Sequence, residues 1–128
     1  MINKAILKNA YKKEFKEKEI YGAYRLFFGT LVSEPRLKIL NLLREEEKSV
    51  SEIMNKLKMN QTSVSHNLSR LKKCDFVNVE TKGKFRYYKI NKKTIKPLME
   101  IIDKHMLHHC IHILREMKGG TKNEKQKR

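Results

Sequence analysis

Apolar residues recur at helical spacing over most of this chain. From about Asn3 to Leu31 they fall at Ile6, Leu7, Ala10, Tyr11, Phe15, Ile20, Ala23, Tyr24, Phe27, Phe28 and Leu31, mostly at the intervals of about three to four that give a helix one apolar face. Gly22 and Gly29 interrupt the pattern, which predicts two helices rather than one. The segment is rich in aromatics for a surface helix, so it is expected to pack against its own core or against a second subunit.

In "SEPRLKILNLLREEE", Ser33 is placed to cap a helix whose first turn holds Pro35, where the missing N–H costs nothing. Leu37, Leu40 and Leu43, with Ile39 alongside, form its buried face. "KSVSEIMNKLKM" predicts a short helix capped by Ser49 or Ser51, with Ile53, Met54 and Leu57 inward. "NQTSVSHNLSRLKKCDF" starts another at Asn60, with Val64, Leu68 and Leu71 inward. The period then changes. "FVNVETKGKFRYYKIN" alternates on either side of Gly83, which predicts a two-stranded hairpin with a basic tip. From Thr94 the helical period returns and holds until Gly119-Gly120.

Two short helices followed by a basic hairpin is the plan of a winged helix-turn-helix. The expectation is a mostly α fold with a small β-hairpin, in one domain over residues 1–118. Its terminal helices span about residues 3–31 and 94–118, and a disordered basic tail covers 119–128.

Charge sharpens this picture. Thirty Lys and Arg against fourteen Asp and Glu give a net charge of +16 in 128 residues, a field that favours polyanions. No apolar run reaches the roughly 18 residues that a membrane span needs. The N-terminus scatters lysines without an apolar block, so it does not read as a secretory signal. Two cysteines, Cys74 and Cys110, make no disulfide framework. A cytoplasmic protein with no membrane partner is expected.

On the Asn60–Lys73 helix, Val64, Leu68 and Leu71 take one side; Thr62, Ser63, His66, Ser69, Arg70 and Lys73 take the other. Short hydroxyls near the N-terminus let the backbone approach base edges in a major groove, and the later cations reach phosphate. Lys82, Lys84 and Arg86 cluster at the hairpin turn. Together these point to double-stranded DNA as the partner.

The residues now on the page resemble the ArsR/SmtB family of repressors. "EPRLKIL", "NQTSVSHNLSRLK" and "GKFRYYKI" occur in the family's order and spacing, over roughly residues 26–90. The resemblance implies a homodimeric winged-helix repressor that binds a two-fold symmetric operator and is released by an inducer. It implies Gln61, Ser63, Ser65 and His66 as base readers. It also implies a dimer interface built from the first and last helices, here Phe27, Phe28, Met99, Ile102, Met106, Cys110 and Ile113. Asp75 stands where the family has glycine after the recognition helix, and Asp tolerates the left-handed conformation better than most residues.

The family also places metal ligands at several sites, two of which bear on this chain. One is a C-V-C run, where this chain has Ser49-Val50-Ser51, and hydroxyls do not replace thiolates for soft metals. The other is the last helix, where four of the five histidines fall in "DKHMLHHCIHIL". On an uninterrupted α-helix His105, His108, His109 and His112 lie within roughly 100°. By resemblance, His105, His109 and His112 from two antiparallel copies would bind Zn²⁺, Ni²⁺ or Co²⁺; His108 and Asp103 are weaker candidates. The spacing is about seven residues shorter than the family pattern. The competing reading is a polar histidine strip beside the dimer seam, in a regulator that needs no metal. A non-specific architectural DNA-coating protein is the other alternative, although such a protein would carry cations where this helix carries hydroxyls. No nucleophile–base pair and no H-E-x-x-H motif is present, so no enzyme is expected.

Overall fold

The computed structural model describes residues 1–118; the expected basic tail lies outside the described residues. The elements are α1 (Lys4–Lys12), α2 (Glu17–Val32), α3 (Glu34–Glu45), β1 (Lys48–Ser49), α4 (Val50–Leu57), α5 (Gln61–Lys73), β2 (Val77–Lys82), β3 (Phe85–Ile90) and α6 (Ile95–His105). Residues up to Ile90 form one unit and those from Asn91 a second.

The helix starts follow their caps. Ser33 Oγ accepts from the Arg36 N–H, with Pro35 in the first turn. Ser49 and Glu52 form a reciprocal capping box on α4. Asn60 Oδ1 accepts from the Ser63 N–H at 2.7 Å to open α5. Each cap satisfies a backbone donor that the first turn leaves without an intrahelical partner.

The N-terminal segment is two helices, but the break is not at the glycines. It falls between Lys12 and Glu17, where Glu14 takes φ 66°, while Gly22 and Gly29 lie inside α2. A single glycine costs a helix interior only about 1 kcal/mol, and the helix absorbs it twice.

The core of the first unit is built from Ile39, Leu40 and Leu43 of α3, Ile53 of α4, and Val64, Leu68 and Leu71 of α5, closed by Phe76, Val77 and Ile90. Asp75 takes φ 61° and turns the chain from α5 into β2. The hairpin pairs Val77 with Ile90 through to Lys82 with Phe85, and Gly83 supplies positive φ at its tip. A third strand, absent from the sequence expectation, completes the sheet. Residues Lys48 and Ser49 pair with Tyr88 and Tyr87, giving the order β1-β3-β2. Two residues are too few to show alternation in a sequence.

In the second unit the expected continuous helix is interrupted. α6 runs to His105, Met106–Cys110 form a π turn, and residues 111–118 resume the α-helix. The Ile111 N–H reaches back to Met106 O.

The packing predicts a clear contrast. Leu68→Ala should destabilise by about 2–5 kcal/mol, as a fully buried leucine in a closed core does. Lys58 is an exposed residue at the α4–α5 turn with φ 55°, and Lys58→Gly should stabilise by up to about 1 kcal/mol by relieving the left-handed strain. Urea unfolding of the two variants checks both signs.

Candidate nucleic-acid interface

α5 carries three stripes, since successive residues rotate by about 100°. Val64, Leu68 and Leu71 are wholly buried. Gln61, Thr62, Ser65, His66, Ser69, Lys72 and Lys73 are exposed. Ser63, Asn67, Arg70 and Cys74 form the third stripe, half-buried or buried and polar. Of the residues expected at DNA, Gln61, Thr62, Ser65, His66, Ser69 and Lys73 therefore share one solvent-facing arc. Ser63 and Arg70 lie on the half-buried stripe: Asn67 Nδ2 donates to Ser63 Oγ at 3.5 Å, and Arg70 Nε donates to Thr30 Oγ1 at 3.3 Å. Lys72 joins the exposed arc; its position one step before Lys73, on the Ser65 side of the wheel, was the signal for it.

The exposed arc suits a major groove. Hydroxyls and a carboxamide lie near the helix N-terminus, whose backbone N–H groups favour anions. Lys72 and Lys73 lie in the last turn, positioned for phosphate.

The wing tip, Lys82 to Arg86, is exposed throughout, but its cations are not equivalent. The Lys82 ammonium is bonded to Glu47, and lies 5.6 Å from the centre of the Tyr87 ring. Lys89 is bonded to Glu80 and lies 3.3 Å from Glu47 Oε2. These bonds hold both carboxyls below the ordinary carboxylate value, Glu47 chiefly through Lys82 and Glu80 chiefly through Lys89. They push Lys89 up, through Glu80 first and Glu47 second. The sign follows from linkage. A carboxyl whose pKa is lowered in the folded chain adds stability above its unfolded pKa of about 4, and loses it as pH falls through the folded value. The Lys82 ammonium therefore carries a carboxylate partner in Glu47, so its charge is less available to an anion than one without such a partner.

On the last helix the His105 and His109 rings lie 4.7 Å apart, one turn from each other across the start of the π turn. His105, His108, His109 and His112 are all exposed, as is Asp103. Among the described residues no group of three or more His, Cys, Asp or Glu could hold a metal ion. Imidazoles suit Zn²⁺, Ni²⁺ and Co²⁺, and His105 and His109 are the pair whose rings come together. Of the expected interface residues, Phe28, Met106 and Ile113 are exposed, and Ile102 and Cys110 partly so. Phe27 is half-buried, its ring 5.0 Å from Phe76, and Met99 is only 4% exposed in the single chain. Those two are thus largely covered before any partner arrives.

Comparison with known proteins agrees with this geometry. Residues 33–79, from the Ser33 cap through α5 into β2, match the family described as bacterial regulatory protein, arsR family. The HTH-type transcriptional regulator MJ1325 of Methanocaldococcus jannaschii is 34% identical over 86 residues, 66% of this chain and 97% of that protein. The transcriptional repressor SdpR of Bacillus subtilis is 34% identical over 61 residues, 47% of this chain and 68% of SdpR. Among solved structures, the homodimeric winged helix-turn-helix DNA-binding domain of Mb0332 from Mycobacterium bovis superposes with a TM-score of 0.63. It is 27% identical and covers 73% of this chain and 89% of its own. The family match takes in the capped helices and the exposed helix face up to the start of β2, and the chain belongs to the arsR family of bacterial regulatory proteins.

Proposed function

We propose that this chain is a sequence-specific repressor that binds a two-fold symmetric double-stranded operator as a homodimer. The observation that carries the reading is the exposed arc of α5, with Thr62, Ser65, His66 and Ser69 presented together and no packing role assigned to them. The basic wing adds affinity that does not depend on sequence. The exposed apolar residues Tyr24, Phe28 and Val32 of α2, and Met106 and Ile113 of the last helix, would be covered by the second subunit, as the homodimeric relative suggests. Among the described residues no helix is long and apolar enough to cross a membrane, which fits work on DNA in the cytoplasm. No catalytic role is proposed.

A second reading concerns the inducer. The paired His105 and His109 rings favour a divalent metal shared between subunits, with His112 of the opposite chain as a third ligand. A Zn²⁺ titration at neutral pH tests it. Micromolar binding that His105→Ala abolishes supports the reading. No binding reduces the histidines to a polar edge.

The operator reading is tested with the duplex that the chain itself enriches from a random library. Binding should survive random competitor DNA by about 10³-fold or more, and the bound promoter should transcribe less; more transcription would make the protein an activator. Ser65→Ala and His66→Ala should lower discrimination against a shuffled duplex. Lys84→Ala should weaken binding to both duplexes and flatten the slope of log K against log salt by about 0.9. Lys82→Ala should flatten it less, because Glu47 already sits on that ammonium. Loss of discrimination in the wing variants alone would overturn the docking. Met106→Glu should give monomers in sedimentation, and with them weak binding, since each would hold a single half-site.

A further inference from the structure

α5 must be held at a fixed tilt for base readout, because hydrogen bonds to base edges tolerate only a few tenths of an ångström. The apolar stripe anchors α5 in the core and sets its coarse orientation, but apolar contacts are non-directional and leave the fine rotation to be fixed. The polar stripe supplies what is missing. Arg36, half-buried on α3, donates Nε to Thr30 O at 2.8 Å and Nη2 to Gly29 O at 3.3 Å. Both carbonyls belong to the last four of α2, which have no partner within their own helix. The same guanidinium donates Nη1 to Asn67 Oδ1 at 3.4 Å. Asn67, only 8% exposed, passes the constraint on through Nδ2 to Ser63 O and to Ser63 Oγ at 3.5 Å. A second strut runs alongside. Buried Thr30 donates its hydroxyl to Leu26 O at 2.7 Å, accepts from Arg70 Nε, and lies 3.5 Å from Cys74 Sγ.

We infer that Arg36, acting through Asn67, is a positioning residue for sequence readout. Its planar fork ties the end of α2 to the middle of α5 and sets the rotation at which Ser65 and His66 face the groove. This rests on the DNA-binding reading. Arg36 itself makes no base contact in this arrangement, since its donors are directed at Thr30, Gly29 and Asn67. A lysine keeps the charge but lacks the fixed fork that reaches three acceptors on two elements. Long lysines on phosphate follow a rotated helix easily; short serine and histidine side chains on base edges do not. Loss of the fork therefore costs discrimination more than affinity.

The test compares the duplex selected by the wild-type chain with a shuffled duplex of the same composition, using the full chain and its Arg36→Gln, Arg36→Lys and Asn67→Ala variants and the Arg36→Gln/Asn67→Ala double. The readout is the ratio of the two affinities, in which any inactive fraction cancels. The ratio should fall about tenfold or more in each single variant, the loss of roughly one good base contact. Affinity for the shuffled duplex and its salt slope should stay within about twofold. The double variant should lose no more than the worse single. Equal loss on both duplexes, full discrimination in Arg36→Lys, or multiplied losses in the double variant would each overturn the inference. If the wild-type chain enriches no sequence, the DNA reading falls and takes this inference with it. If the wild type enriches a sequence and the single variants keep its ratio, only the inference falls.

Discussion

The structure depends on how α5 divides its circumference. Thirteen residues meet three different surroundings, and each demands its own chemistry. The side against α3 and α4 must be dry, so Val64, Leu68 and Leu71 lose all contact with water. Each buried side chain of this size is worth about 1.5–3 kcal/mol relative to exposure. That anchoring orients the remaining two stripes. A polar side chain on the apolar stripe would breach the core, and with it the orientation of the other two stripes.

Electrostatics in this chain are less uniform than +16 suggests. Glu46, Glu47 and Glu80 sit where β1 meets the wing and bind Lys48, Lys82 and Lys89. All three carboxyls are held below their ordinary value, Glu46 chiefly by its hydrogen bond with Lys48. The Lys82 and Lys89 pairs are at least partly exposed and add little stability, while the Lys48 side chain in the third pair is buried. Their effect is on where positive charge remains available. The root of the wing is internally compensated, and Lys84 and Arg86 at the tip are exposed.

Much of this was legible in the sequence because local chemistry decides it. Ser33, Ser49 and Asn60 cap the helices they were expected to cap, and Asp75 and Gly83 take the positive φ that their places demand. What stayed hidden depends on distant partners. Gly22 and Gly29 resemble breaks, yet α2 runs through them while the chain bends at Glu14. β1 exists because β3 lies beside it. Arg70 resembles a phosphate ligand on a wheel, and its partner Thr30 lies forty residues away. The π turn at Met106–Cys110 leaves no mark in a helical repeat.

Gln61, Thr62, Ser65, His66 and Ser69 are exposed, so the core does not constrain their identity. A duplicated copy of this chain could exchange them without losing a buried contact, and would stay folded through every intermediate. With the proposed function, the arc is the part of the molecule where new target preferences would evolve at little structural cost. The stripe holding Ser63, Asn67 and Arg70 is tied to residues on α2 and α3, and any drift there must be matched by compensating change on those helices.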